Sequence, residues 1–154
     1  MVVAPARRVI TMSVAYVTEH FSWLEVACKD GSDCPLEYQP NARRLAETVL
    51  EPIREAMGGP LIPISWYRSP EHNKAIRGAA KSQHLTASGC DIQPVSLAAL
   101  PRLRGVIENL IAQGKLPNLG GYGTYNTFVH VDIRPRGKDD RIARWAGKGF
   151  GSET

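Results

Sequence analysis

The sequence predicts an α+β fold, a small and mainly antiparallel sheet packed with helices. Three observations carry that prediction. Stretches with apolar residues at helical spacing alternate along the chain with short apolar runs of strand length. Glycine-rich turns lead into the last of these runs, which favours antiparallel pairing over long parallel crossovers. The chain has 154 residues, enough for one domain with a real core, so residues 1–154 are read as a single domain.

Residues 1–39 read as irregular, with a strand near residues 9–17. "PNARRLAETVLEPIREAM" (40–57) places Leu45, Val49, Ile53 and Met57 on one helical stripe, ended by Gly58 and Gly59. Pro52 falls inside and predicts a kink or a split, because proline lacks the N–H and its ring collides with the preceding turn. "LIPISWY" (61–67) reads as a strand, and Pro63 puts it at an edge or a bulge. "SPEHNKAIRG" opens on a Ser-Pro helix start and stops at Gly78. A polar loop follows, then a short strand around "CDIQPV". Ser96 is read as the cap of a longer helix carrying Leu97, Leu100, Leu103, Ile107, Leu110 and Ile111. Pro101 lies in its first turn and Gly114 ends it. "GGYGTYNTFVHVDIRP" reads as a tight glycine turn feeding a strand with alternating faces, and "DDRIARWAGKG" as a last short helix.

Composition excludes several classes. Hydrophobic residues make up 43% and charged residues 22%, which is ordinary for a globular domain and argues against disorder. The net charge of +4 suits an acidic polymer, either nucleic acid or a wall carrying anionic chains, and equally suits a solvated surface. The basic residues form no long run, and no nucleic-acid module signature is present. No stretch approaches a membrane span. The N-terminus has its arginines late and its apolar stretch broken, unlike a secretory signal. Synthesis in the cytoplasm is therefore expected, with release needed for any target outside.

Three cysteines cannot all pair with one another. Cys28 and Cys34 flank the polar loop "CKDGSDC" and either close a small disulfide or sit reduced. No second cysteine pair and no nearby histidine accompanies them, which argues against a four-ligand structural zinc. Cys90 reads as a small buried hydrophobe.

Two segments carry chemistry. In "FVHVDIR" the two-residue period of a strand puts Phe128, His130 and Asp132 on one face and Val129, Val131 and Ile133 on the other. The aliphatic face belongs to a core. The His/Asp face then needs either solvent or a partner such as a metal. In "SQHLTASGCD", His84 and Asp91 stand seven residues apart across a loop of mostly small residues. A loop returning to a strand brings such a pair to one point. His, Asp and His make a three-ligand set with an open fourth position, the arrangement of a catalytic zinc.

"SWYRSPEHN", "SQH" with Asp91 seven after the His, "GGYGTY", and "FVHVDIR" followed by "RW" occur in this order. Together they resemble the M15 family of zinc peptidases, close to its D-alanyl-D-alanine carboxypeptidase branch and to related phage and bacterial peptidoglycan peptidases. "HFSWLEVACKDG" resembles the lead-in of that branch, and the likeness extends over about residues 20–146. The resemblance implies the M15/hedgehog-type peptidase fold with a zinc site at the sheet. It implies that His84, Asp91 and His130 bind Zn²⁺, and that Arg68 points into the site and binds or polarises substrate. Ser82 and Gln83 match the lead-in to the first ligand; Ser82 reads as a loop-stabilising hydroxyl, since no His–acid pair activates it. The family pattern S-x-H-x-x-G-x-A-x-D is altered here: Ala87 holds the Gly place and Gly89 the Ala place. Where some members carry an acidic base three residues before the last His ligand, this chain has Thr127.

Asp132 has two readings that strand geometry permits equally: general base, or a group fixing a ligand imidazole or Arg68. His20 and His72 are weaker candidates for the base, with His72 read as a surface residue. Tyr122 and Tyr125 are the aromatics expected to line a substrate cleft. The expected function is zinc-dependent hydrolysis of peptidoglycan stem peptides or cross-links by a monomer, as in a phage endolysin or virion-associated lysin. The alternatives are an inactive zinc-holding wall-binding module, suggested by Thr127, and a nucleic-acid-binding domain, suggested only by charge.

Overall fold

The structure is a computed structural model and describes residues 15–147. The N-terminal stretch, most of the strand expected near 9–17 and the end of the expected last helix lie outside the described residues. Within them, a two-strand ribbon, β1 (Tyr16–Thr18) and β2 (Phe21–Ser22), precedes a short helix α1 (Trp23–Val26). Ser22 and Glu25 cap α1 reciprocally: Ser22 Oγ accepts from Glu25 N–H, and Glu25 Oε1 accepts from Ser22 N–H.

The amphipathic stretch becomes α2 (Gln39–Leu45), a π-helical turn over Ala46–Leu50, and α3 (Glu51–Met57). The expected disruption at Pro52 is this π turn. Glu51 N–H reaches back to Ala46 O, so the widened turn absorbs the proline one residue later without breaking the helical path. Leu45, Val49 and Ile53 are fully buried, as their spacing required. Gly58 closes α3 in the left-handed conformation at φ 73°, which costs glycine least.

A five-stranded sheet follows, in the order β3 (Leu61–Ser65), β4 (Gly89–Pro94), β6 (Val129–Asp132), β5 (Gly121–Thr124), β7 (Ala143–Ala146). Every pairing is antiparallel except β5 with β7, which is parallel. β3 is one of the two edge strands, with its irregularity between Pro63 and Ser65, where a proline without a ladder donor is tolerated. Helix α4 (Pro70–Ala75) is capped by Ser69, whose Oγ accepts from His72 N–H. Its end differs from the sequence reading: Arg77, at φ 61°, makes the left-handed turn. A side chain at Gly78 would strike the Asn73 side chain, so that glycine serves close packing. Ser96 caps a 3₁₀ turn over Leu97–Ala99 rather than the long helix α5 (Leu100–Ala112) directly, leaving Leu97 exposed. Leu103 and Ile107 of α5 are fully buried in the core, and Arg102 Nη1 donates to Met57 O at the end of α3.

Two readings are corrected. "GYGT" (121–124) is a strand, β5, and not a tight turn. Gly121 lies opposite Asp132 and Gly123 opposite His130; a Cβ at either would collide, at Gly121 with the Asp132 carboxylate and at Gly123 with the Trp145 ring. These glycines make room for large side chains on one face. The last segment is β7, not a helix, because its backbone pairs with β5.

Candidate metal centre

The sheet has two faces. Cys90, Ile92, Val129 and Val131 are fully buried on the core side. Asp91 and His130 are directly paired across β4 and β6 on the other side, and Gly89 is paired with Asp132. His84 arrives from the loop between α4 and β4. Ser82 opens a short 3₁₀ turn over Gln83–Thr86, its Oγ accepting from His84 N–H at 3.1 Å. That is the loop-stabilising role expected of the hydroxyl. Ala87 closes the turn at φ 61°, a left-handed conformation in which glycine is the easier residue. At Gly89 a Cβ would sit 2.8 Å from His130 Cε1. The exchanged Ala and Gly therefore have consequences: strain at 87 and clearance for the imidazole at 89.

His84, Asp91 and His130 are all buried, and each offers a ligand atom within 4.8 Å of the others. His84 Nδ1 lies 2.7 Å from Trp66 O, so this nitrogen carries the proton and donates to the carbonyl. The opposite nitrogen, Nε2, then presents a lone pair. It is buried without a hydrogen-bond partner among the described residues, although Asp91 Oδ1 stands 3.3 Å away. His130 repeats the arrangement. Its Nε2 meets Asp132 Oδ2 at 2.8 Å and its Nδ1 faces Asp91 Oδ1 at 2.9 Å. With the proton on Nε2, the lone pair of Nδ1 also points at Asp91. Two imidazole lone pairs and a carboxylate oxygen thus converge, an arrangement that a cation relieves. The donor set of two nitrogens and one oxygen fits Zn²⁺.

Burial favours the neutral form of His84, which lowers its pKa and keeps it in the state that binds metal. Burial alone would raise Asp91, but without an ion the His84 and His130 rings can carry a proton toward it, and their charge and hydrogen bonds outweigh burial and hold the carboxyl well below the ordinary range. Asp132 is likewise pushed up by burial and pulled down further by His130 and Arg134, to about 2.

The remaining site candidates divide. Arg68 is buried and spans the wall of the site: Nε donates to Ser65 Oγ at 3.1 Å, Nη1 to Asn73 Oδ1 at 3.2 Å, and Nη2 to Asp91 Oδ2 at 3.4 Å. Gln83 is half-buried in the His84 turn. Tyr125 is buried; its ring stacks on Phe128 and its hydroxyl accepts from Trp145 Nε1 at 2.9 Å. Tyr122 does not join the group. It pairs with Val131 on the core face of the sheet. Thr127 is exposed in the β5–β6 turn. His20 lies elsewhere, its Nδ1 2.7 Å from Glu51 Oε1.

One residue, Arg134, escaped the sequence reading, and another, Trp145 of the "RW" pair, was given no place in the site. Arg134 grips Asp132 through Nε to Oδ1 at 2.9 Å and Nη2 to Oδ2 at 2.6 Å. Its place two residues beyond Asp132 on the same face was a usable signal. Trp145 lies 5.5 Å from the His130 ring, with the Arg134 guanidinium 5.1 Å over its own ring. Only the pairing of β7 with β5 brings it there.

No curated protein matches the chain. The family model described as Peptidase M15 matches residues 19–132, a span that includes all three converging ligands and stops at Asp132. The chain therefore belongs to the Peptidase M15 family of metallopeptidases.

Proposed function

We propose that the protein is a zinc peptidase that hydrolyses peptide bonds in peptidoglycan stem peptides or cross-links, in the manner of an endolysin or a virion-associated lysin. The observation that supports it most is the convergence of His84 Nε2, the Asp91 carboxylate and His130 Nδ1.

His84, Asp91 and His130 hold the ion, and its contribution when bound is Lewis-acid activation of a water molecule at neutral pH. The other residues arrange these three. Trp66 O fixes the His84 tautomer, Asp132 fixes that of His130, and Arg134 holds Asp132 in place. Arg68 clamps the outer oxygen of Asp91, leaving Oδ1 turned toward the imidazoles. In this reading Asp132 is a positioning residue, because both of its oxygens are already engaged by His130 and Arg134. Trp145 stands beside His130 as an aromatic wall against which a stem peptide packs, and the buried Tyr125 hydroxyl fixes its indole.

The test is digestion of purified walls, with mass spectrometry of the released muropeptides. Zinc-loaded protein yields new amine and carboxyl ends, and chelation or His84→Ala abolishes them. Wall binding without any such cleavage, at full zinc occupancy, would replace this reading with the inactive wall-binding module to which Thr127 points.

A further inference from the structure

A second set of donors lies where the turn after α1 meets the start of α4. The turn after α1 is tight: Cys28 N–H donates to Ser32 O at 2.8 Å, Gly31 N–H donates to Cys28 O, and Gly31 sits at φ 95°. It carries Cys28 inward and Asp30 outward, toward Ser69 at the start of α4. Ser69 Oγ donates to Asp30 Oδ2 at 2.6 Å, and Ser69 N–H points at Cys28 Sγ at 3.4 Å. His72 enters from the first turn of α4, where its backbone N–H is tied to Ser69 Oγ at 3.0 Å. Cys28 Sγ, an Asp30 oxygen and a His72 ring nitrogen all lie within 4.8 Å of one another. Among the described residues, no hydrogen bond or ion pair engages either ring nitrogen of His72.

We propose that Cys28, Asp30 and His72 form a second metal site, for zinc or a cation of similar softness. Sulfur, nitrogen and oxygen donors in one set select such an ion over magnesium or calcium. The surroundings match what ligands need. A backbone N–H faces the sulfur, and Ser69 Oγ and Ser32 N–H donate to Asp30 Oδ2 and Oδ1 and orient the carboxylate. Cys28 is buried, His72 half-buried and Asp30 exposed, so the site has an entry path on one side. The sequence reading set zinc aside here because no histidine is near Cys28 in the chain; folding supplies one from α4.

The site has a structural consequence. It staples the turn after α1 to Ser69, the neighbour of Arg68. Arg68 in turn clamps Asp91 of the first centre. The ion therefore ties the turn after α1 to the start of α4, next to Arg68. The inference stands on its own donors and does not depend on the function of the first centre.

The test is cobalt titration of the full chain, stripped of metal and kept under reductant. Only a site with a thiolate ligand gives intense sulfur-to-cobalt charge-transfer absorption in the near ultraviolet, and the His84–Asp91–His130 set has none. Two equivalents per chain are expected, one of them with this absorption. His84→Ala loses one equivalent and keeps the band. His72→Ala, an exposed-side change that spares the core, keeps the other equivalent and loses the band, with affinity at this site down about tenfold or more. Asp30→Asn, also outside the core, weakens the band in the same way. A single equivalent without the band overturns the proposal. So does a band that survives His72→Ala and Asp30→Asn, or a Cys28–Cys34 disulfide that persists under reductant.

Discussion

Asp132 and His130 stand two residues apart on one face of β6, and the Asp132 carboxylate meets His130 Nε2 at 2.8 Å while Asp91 faces the other ring nitrogen at 2.9 Å. One imidazole is thus held between two carboxylates with different work. Asp91 lies with His84 and belongs to the converging ligand set. Asp132 lies with Arg134 and sets the ring's tautomer and tilt. Asp132→Asn is expected to weaken zinc binding about 10- to 100-fold, with most activity returning at saturating zinc. Competition against a chromophoric chelator measures the first effect, and kcat at saturating metal the second. A variant that keeps its zinc but loses kcat and one limb of its pH profile would instead make Asp132 the proton carrier.

Gly89→Ala tests the clearance beside the same ring. The new Cβ would stand 2.8 Å from His130 Cε1 and 3.0 Å from Gln83 Cβ. Overpacking of this kind costs about 1–3 kcal/mol and displaces the imidazole, so urea midpoint and zinc affinity fall together. The companion change, Ala87→Gly, relieves a left-handed alanine at φ 61°. It also removes a fully buried methyl and adds backbone entropy to the unfolded chain. These effects oppose each other at about 1 kcal/mol apiece, so its midpoint is expected to move little.

Arg68→Ala removes a buried cation from three partners at once. Asp91 Oδ2, Asn73 Oδ1 and Ser65 Oγ all lose a donor. Leaving a buried carboxylate unpaired costs about 3–5 kcal/mol, measurable by denaturant unfolding of the metal-free protein. Arg68→Lys recovers little, because an ammonium cannot reproduce the planar fork.

Acid sensitivity has a separate source in the first third of the chain. Burial works to raise the Glu51 carboxyl. Bonds from His20 and Thr18 outweigh it and hold the group below its ordinary value of 4.5. The folded chain therefore binds this proton less readily than the unfolded chain. The resulting stability is present above about pH 4.5 and is lost as pH falls through the depressed folded value. Glu51→Gln is expected to flatten that part of the stability profile, read as the urea midpoint between about pH 7 and about pH 3.

Much of the site was legible because strands and ligands obey short rules. The alternation of "FVHVDIR" separates Val129 and Val131 from His130 and Asp132 with no knowledge of the fold. Ser82 before His84, Pro63 at an edge and Pro52 inside a helix carry their meaning locally. The glycines of "GGYG" did not, because turns and crowded strands both use glycine. Which applies depends on what lies opposite, here Asp132 and the Trp145 ring. Tyr122 was misplaced in the same way: once β5 is a strand, alternation turns it to the core.

The sequence by itself determined the fold class, the amphipathic stripe from Leu45 to Met57, and the identity of the converging His84, Asp91 and His130. The first two follow from local periodicity and residue chemistry, while the grouping of the three ligands was implied by the resemblance of the ordered motifs to the M15 family. Only the tertiary structure decided what surrounds them. Arg68 on Asp91, Trp145 beside His130 and His72 beside Cys28 are meetings between residues well separated in the chain. They depend on strand order and on the path of loops, which no short stretch of sequence encodes.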